Sequence, residues 1–291
     1  MAFRSVVIKS RCKLEFSLNY LVCVKGGETT RVLLDEIKMI VIESTQVSIT
    51  TTLISACLAK KIKILFADEK INLTGELTPY YNNYYASRKI KDQISIPDIR
   101  KHTLRTKIVE RKIYNQLQNL KAFGNEYSIN LLNEYLNSIE MNDTTNREGL
   151  AAKVYFFALF GNDFNRKDDS NQINKFLNYG YTIILSAFNR AIKSLGFYTE
   201  LGIHHIGDSN SFNLSCDLME PLRPLVDLFI LKKKVDEDNF KNVFIEMLSL
   251  KVYYNQKEVF LDNAIELYTA DCLNYLISGD KTKIQFIGYE L

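Results

Sequence analysis

The chain lacks the sequence features of membrane and secreted proteins. None of its uncharged stretches reaches the roughly 18 apolar residues that a membrane span needs, and residues 176–188, among the longest, contain asparagine and glycine. Residues 1–9 include charges and lack the basic, apolar and small-residue order of a secretory signal. We therefore expect a cytoplasmic protein with no membrane span.

Cysteine is sparse, and nucleotide-cofactor motifs are missing. The five cysteines lie far apart and form no CxxC pair, which favours neither a disulfide framework nor a zinc site. GxGxxG and GxxxxGK[ST] are also absent, so a cofactor enzyme has little support. With 46% hydrophobic and 24% charged residues, the composition is that of a folded globular protein.

Proline is rare and unevenly placed. The four prolines are Pro79, Pro97, Pro221 and Pro224, so residues 98–220 can form long helices. Before Pro79, short runs rich in β-branched residues predict strands. These are residues 5–9, 13–16, 20–25, 30–34 and 39–43, followed by a helix over 50–60 and a strand over 62–67.

These patterns predict an α+β chain in which a β-rich N-terminal domain precedes a larger all-α C-terminal domain. We place the β-rich domain at residues 1–75, a connector at 76–98 and the helical domain at 99–291. The connector holds a tyrosine tract at residues 80–85, which could stack on nucleotide bases or pack at a domain interface or helix start.

Positive charge is concentrated in one segment, although the whole chain carries only +3. The segment from Ser87 to Lys121 contains ten Lys or Arg residues and three acidic residues. Helical periodicity gives that segment a mostly basic face. Such a face suits DNA phosphates, with a solvated helix surface as the alternative. The candidate DNA-binding residues are Arg88, Lys89, Arg100, Lys101, Arg105, Lys107, Arg111 and Lys112.

Histidine occurs only three times, and two of the three are adjacent at His204 and His205. Asp217 and Glu220 follow shortly and share a face if that segment is helical. A histidine with carboxylates and no cysteine suits Mg²⁺ or Mn²⁺ in phosphoryl transfer. Alternatively, either histidine is a core or surface residue that binds no metal.

Glu148 is a further candidate ligand. Helical periodicity puts it in line with Ala152 and Tyr155 on a small, apolar face, where a buried carboxylate requires a cation. Thr145 and Glu148 also have the spacing of a capping box, in which Glu148 would only bind a backbone N–H. Both interpretations remain open from the residues alone.

Three segments, residues 146–149, 202–205 and 217–224, resemble the signature motifs of the CRISPR-associated spacer-acquisition integrase family, the universal CRISPR adaptation endonuclease. The overall form is most similar to type II systems. The resemblance implies that Glu148, His205 and Glu220 bind the catalytic Mg²⁺ or Mn²⁺, with Asp217 a nearby accessory acid. Pro221 stands where many relatives have a second acid.

The resemblance also implies an N-terminal dimerisation domain, a helical catalytic domain and a homodimer. Two such dimers would clamp a dimer of a small ferredoxin-like adaptation subunit. The implied reaction is metal-dependent transesterification that inserts a double-stranded DNA fragment, the prespacer, into the CRISPR array.

Two rival functions remain. A metal-dependent nuclease could act on branched or repair DNA without integration, since the same site can activate water. A structural DNA-binding subunit would instead have Glu148 in a capping box and His205 packed in the core.

Overall fold

A computed structural model describes residues 4–67, 73–77, 86–233 and 235–290. The chain divides into two compact units, residues 1–82 and 83–291. In its described residues the first contains strands and one α-helix, and the second is mostly helical, which confirms the α+β class. The division falls within the predicted connector, and the tyrosine tract at 80–85 lies outside the described residues.

The first unit contains two four-stranded sheets. One has the order β1-β5-β7-β8, and the other has the order β4-β3-β2-β6. β1, β5 and β7 run parallel to one another, while β8 is antiparallel to β7. The bounds are β1 Arg4–Ile8, β2 Cys12–Ser17, β3 Tyr20–Lys25, β4 Glu28–Leu33, β5 Ile37–Ile42, β6 Val47–Ile49, β7 Lys63–Ala67 and β8 Leu73–Leu77.

The helix α1, Thr51–Ala59, supplies part of the first unit's core. Thr50 begins this helix by accepting a hydrogen bond from the Leu53 backbone N–H, and Leu53 and Cys57 are fully buried. They join strand residues such as Leu14 and Ile40 in one apolar cluster. This cluster gives the first unit a hydrophobic core of its own.

The second unit is built around α3, a helix of 26 residues. It packs against α4, α5, α8, α10 and the turns at Met141–Asp143 and Glu220–Leu222. The helices are α2 Ala86–Ile94, α3 Asp98–Phe123, α4 Glu126–Asn137, α5 Arg147–Phe160, α6 Gln172–Ser194, α7 Asn213–Met219, α8 Arg223–Lys232, α9 Phe240–Met247 and α10 Leu261–Ser278.

This unit departs from the all-α expectation in one element, a hairpin of β9, Lys251–Tyr254, and β10, Lys257–Phe260. Its two turn residues, Asn255 and Gln256, both have positive φ, as a two-residue hairpin of type I′ requires. Among the described residues, no helix is long and apolar enough to cross a membrane.

Two prolines interrupt the helical backbone beside Glu220, between α7 and α8. Pro221 lies at the start of a 3-10 turn, Glu220–Leu222, and Pro224 lies at the start of α8, where a missing N–H is tolerated. Two side-chain amides of α3 bind the carbonyls of these prolines: Asn115 Nδ2 donates to Pro221 O and Asn119 Nδ2 to Pro224 O, each at 2.7 Å. α3 therefore fixes the turn that carries Glu220.

Candidate metal centre

Glu148 lies in the first turn of α5, and its side chain does not take part in a capping box. Asn146, in the left-handed conformation, accepts a hydrogen bond from the Gly149 backbone N–H. The Asp143 carboxylate accepts from the N–H groups of Arg147 and Glu148, at 2.7 and 3.1 Å. Because other groups satisfy this helix start, the Glu148 carboxylate is available for contacts inside the unit.

Those contacts are made with cations of α3. Lys112 Nζ donates to Glu148 Oε1 at 2.6 Å and to Glu220 Oε2 at 2.5 Å. Arg105 donates to the other oxygen of Glu148, and Arg223 Nε donates to Glu220 Oε1 at 2.9 Å. Two carboxylates distant in sequence thus meet at one ammonium group, and all four of their oxygens bind a cationic side chain.

The charges around this pair keep both carboxylates ionised. Burial alone would raise the pKa of Glu220, but Arg223 and Lys112 hold it well below its usual range. For Glu148, Lys112 and Arg105 likewise overcome burial and lower the pKa. Burial would lower the pKa of Lys112, but Glu220 and Glu148 raise it. The site therefore holds two negative oxygen donors near neutral pH.

His205 lies in a loop that Asp217 organises. The fully buried Asp217 carboxylate accepts hydrogen bonds from the backbone N–H groups of Ile203, His204 and His205, at 2.7 to 3.1 Å. His205 Nδ1 lies 2.7 Å from Asp217 Oδ1, and this hydrogen bond raises the pKa of His205. A carboxylate on Nδ1 leaves Nε2 as the nitrogen available to a ligand.

Glu148, Glu220 and His205 are chemically the kinds of ligand that a divalent-ion site uses. Two ionised carboxylates suit Mg²⁺ or Mn²⁺, and the Lys112 ammonium already occupies the position of a cation between them. The Asp217–His205 pair is the outer-shell arrangement that metal-ligating histidines use. In the described residues, however, no three His, Cys, Asp or Glu side chains are close enough to hold a metal ion together.

The structure corrects the predicted basic helix face. Arg105 is only 4% exposed and Lys112 only 9%, so these two belong to the carboxylate cluster and not to a solvated surface. Arg100 donates to the carbonyls of Leu276 and Ile277, and Arg111 to that of Ile287. Helical periodicity groups these residues by angle but does not show which angles other helices cover.

Of the remaining predicted DNA contacts, Arg88 and Lys107 are exposed and Lys89 and Lys101 are half-buried. Lys107 pairs with Glu110 one turn away, which offsets part of its charge.

Arg223, Asp227 and Tyr181 are part of the site but were not predicted from the sequence. The Arg223 guanidinium lies 4.7 Å from the centre of the Tyr181 ring, and the Tyr181 hydroxyl donates to Asp227 at 2.6 Å. With Glu220 and Lys112 they line an open cavity of about 460 Å³. For Arg223 the available signals were its spacing, three residues after Glu220, and its place in the motif at residues 217–224.

A second cavity of about 460 Å³ lies beside His205, lined by the same loop and by Ile94, Ile96 and Lys101. Glu220 therefore lines one open cavity of the second unit, and His205 lines another.

Comparison with known proteins identifies the family. The family model for CRISPR associated protein Cas1 matches residues 6–257. The CRISPR-associated endonuclease Cas1 of Neisseria meningitidis serogroup C is 35% identical over 231 residues, which cover 79% of this chain and 76% of that protein. The chain thus falls in a class of CRISPR-associated proteins, and within that class it belongs to the Cas1 family. The resemblance inferred from the three motifs is confirmed.

Two solved structures share the fold. A casposase bound to integration product has a TM-score of 0.76 and 19% identity, covering 96% of this chain and 92% of that one. A chain of a Cas6-RT-Cas1–Cas2 complex has a TM-score of 0.74 and 18% identity, covering 97% of this chain but 36% of that one.

Proposed function

We propose that this chain is a divalent-metal-dependent DNA integrase of CRISPR adaptation, acting in the cytoplasm on prespacer and CRISPR-array DNA. The observation that carries the proposal is the meeting of Glu148 and Glu220 at one cation, in the same unit as the Asp217-bound His205. Family membership supports it, as do the endonuclease name of the Neisseria relative and the integration product bound by the casposase.

In this proposal Glu148, Glu220 and His205 Nε2 would hold Mg²⁺ or Mn²⁺, which requires these three side chains to move closer together than they lie in the described residues. The bound ion would activate the attacking 3′-hydroxyl and neutralise charge on the phosphate. Asp217 fixes the imidazole so that Nε2 carries the free lone pair. Within the described part of the chain, two buried nitrogens of Arg105, Nε and Nη1, have no hydrogen-bond partner, and these donors suit an anionic phosphate.

The reaction exchanges one phosphodiester for another. A prespacer 3′-oxygen forms a bond to an array phosphorus, the bond to the array's own 3′-oxygen breaks, and that oxygen leaves with a proton. No protein nucleophile is needed, in keeping with a site built from carboxylates, an imidazole and cations.

The proposed assembly follows the same family reasoning. We propose a homodimer formed through the β-rich region of residues 1–75, with two dimers around one dimer of a small ferredoxin-like subunit. The Cas6-RT-Cas1–Cas2 complex among the solved structures supports a Cas2 partner. Arg88, Lys89, Lys101 and Lys107 are the proposed DNA contacts, because they keep some exposure to solvent.

The test is strand transfer of a labelled short duplex into a supercoiled plasmid with a cognate leader and repeat, with the partner subunit and Mn²⁺. We expect joined products from the wild type and none from Glu148→Gln, His205→Ala or Glu220→Gln. Glu126→Gln, an exposed residue at the start of α4, should match the wild type.

The alternative function is a nuclease that cleaves branched or repair DNA, which the name endonuclease of the Neisseria relative favours. Cleavage without joined products would support it. Full activity in all three site variants would contradict both functions. The third function, a structural DNA-binding subunit, required Glu148 in a capping box and His205 packed in the core. In the structure Glu148 binds Lys112 and the His205 side chain is 38% exposed, so neither condition is met.

A further inference from the structure

The cation at the centre of the site is part of the protein. Lys112 Nζ binds one oxygen of Glu148 and one of Glu220, while Arg105 and Arg223 bind the other two. A divalent ion held by these carboxylates needs oxygen atoms that Lys112 already uses. The ammonium and an ion bound by both carboxylates therefore compete for Glu148 Oε1 and Glu220 Oε2.

We propose that Lys112 competes with the divalent ion for Glu148 and Glu220, so that its ammonium must leave these oxygens before the ion can bind. The inference rests on the proposed metal site, and it assigns Lys112 a role in setting metal affinity. It replaces the DNA-contact role that the helix pattern predicted for this residue.

The charge balance of the site supports the competition. Three cationic side chains, Lys112, Arg105 and Arg223, already surround two carboxylates, so the group is positive overall. A further double charge would enter a buried positive group, which is unfavourable at low dielectric. Release of Lys112 lowers that repulsion and frees two oxygens at once.

The position of Lys112 makes its ammonium a strong competitor of the divalent ion. It sits near the middle of α3 between Arg111 and the fully buried Ile113, and the residue is 9% exposed. Its ammonium makes two short charge-assisted hydrogen bonds, which are stronger than neutral ones. Displacing it therefore lowers the apparent metal affinity of the wild-type chain.

The experiment is calorimetric titration of the full chain with MnCl₂ alone, checked by Mn²⁺ paramagnetic resonance, with no DNA and no activity readout. We expect Lys112→Met to bind Mn²⁺ at least about tenfold more tightly than the wild type, the scale of a lost charge-assisted contact. Lys121→Met is the matched control: the same substitution, at an exposed position of the same helix, should leave Mn²⁺ affinity unchanged.

Folding of the variant is controlled separately. Lys112→Met leaves two buried carboxylates without their shared partner, so Lys112→Gln, which keeps a hydrogen-bond donor, is titrated in parallel. Thermal unfolding of each protein with and without Mn²⁺ provides a second measure, in which the metal should raise the Tm of the Lys112 variants more than that of the wild type.

The outcomes separate the two proposals. Equal or weaker Mn²⁺ binding in both Lys112 variants, with wild-type binding abolished by Glu148→Gln, would overturn the competition and leave the metal site standing. No binding by any protein, or tight binding that survives Glu148→Gln in the Lys112→Met background, would overturn both.

Discussion

One buried carboxyl group, Asp227, should make the stability of the chain depend on pH. Burial raises its pKa from 3.8 to about 6, although the Tyr181 and Tyr155 hydroxyls bind it and oppose the shift. A group with a raised folded-state pKa stabilises the fold at low pH, and that stability is lost as pH rises toward the folded value. Here the loss falls between pH 3.8 and about 6 and corresponds to about 3 kcal/mol.

We therefore predict that Asp227→Asn becomes more stable relative to the wild type as pH rises from 4 to 7, by about 3 kcal/mol. Urea unfolding at each pH measures this difference. Asp169→Asn, exposed on the same cavity, should follow the wild-type pH curve. A constant difference between Asp227→Asn and the wild type would show that the fold does not raise the pKa of Asp227.

In the carboxylate cluster, the sequence predicted the acidic residues but not the cationic side chains that bind them. Periodicity placed Glu148 on a buried face that requires a cation, and the structure supplies Lys112 and Arg105. The sequence could not identify those partners, because a lysine on a helix reveals its burial only when the neighbouring helices are known. Leu104 beside Arg105 and Ile113 beside Lys112, both fully buried, were the available hint.

The start of α5 provides a prediction for one secondary-structure element. Asp143, only 8% exposed, accepts two backbone N–H groups of this helix, whereas Thr145 is exposed. We expect Asp143→Ala to lower the free energy of unfolding by about 2 kcal/mol and Thr145→Ala to change it by less than about 0.5 kcal/mol. Urea unfolding measures both changes. A larger loss of stability in Thr145→Ala than in Asp143→Ala would support the capping box of Thr145 and Glu148 instead.

The loop before α7 provides a second prediction. A Cβ at Gly202 would overlap the carbonyl oxygen of His205 and lie 2.9 Å from Asp217 Oδ2, whereas at Gly207 the nearest atom is 3.7 Å away. Gly202→Ala must therefore move His205, and we expect at least a tenfold loss of Mn²⁺ affinity, the scale of disturbed outer-shell contacts. Gly207→Ala should bind Mn²⁺ with the affinity of the wild type in calorimetric titration. Equal Mn²⁺ affinities of the wild type, Gly202→Ala and Gly207→Ala would exclude this loop from the metal site.

Elements with strong periodicity were predictable, and short ones were not. The predicted strands at 20–25 and 39–43 match or overlap β3 and β5, since β-branched runs with turn residues between them are typical of strands. The three-residue β6 is too short for a period to show. The hairpin of β9 and β10 was missed because Gln256 is an unusual residue at a position with positive φ.

For the whole molecule, the division into two units predicts a division of roles. The first unit has its own apolar cluster, and every proposed metal ligand, with Asp217 and Lys112, lies in the second. We expect residues 83–291, expressed alone, to bind Mn²⁺ within about threefold of the full chain, because no ligand is removed. Calorimetry measures the affinity, and far-ultraviolet circular dichroism establishes that the fragment is folded.

The same fragment tests where the proposed homodimer forms. If the β-rich region carries the dimer interface, the full chain should have the mass of a dimer and residues 83–291 that of a monomer in light scattering after size exclusion. Both should keep these masses across a tenfold dilution, since large obligate interfaces do not dissociate at micromolar concentration. A dimeric fragment would move the interface to the helical unit, and a folded fragment that does not bind Mn²⁺ would mean that the first unit supports the metal site.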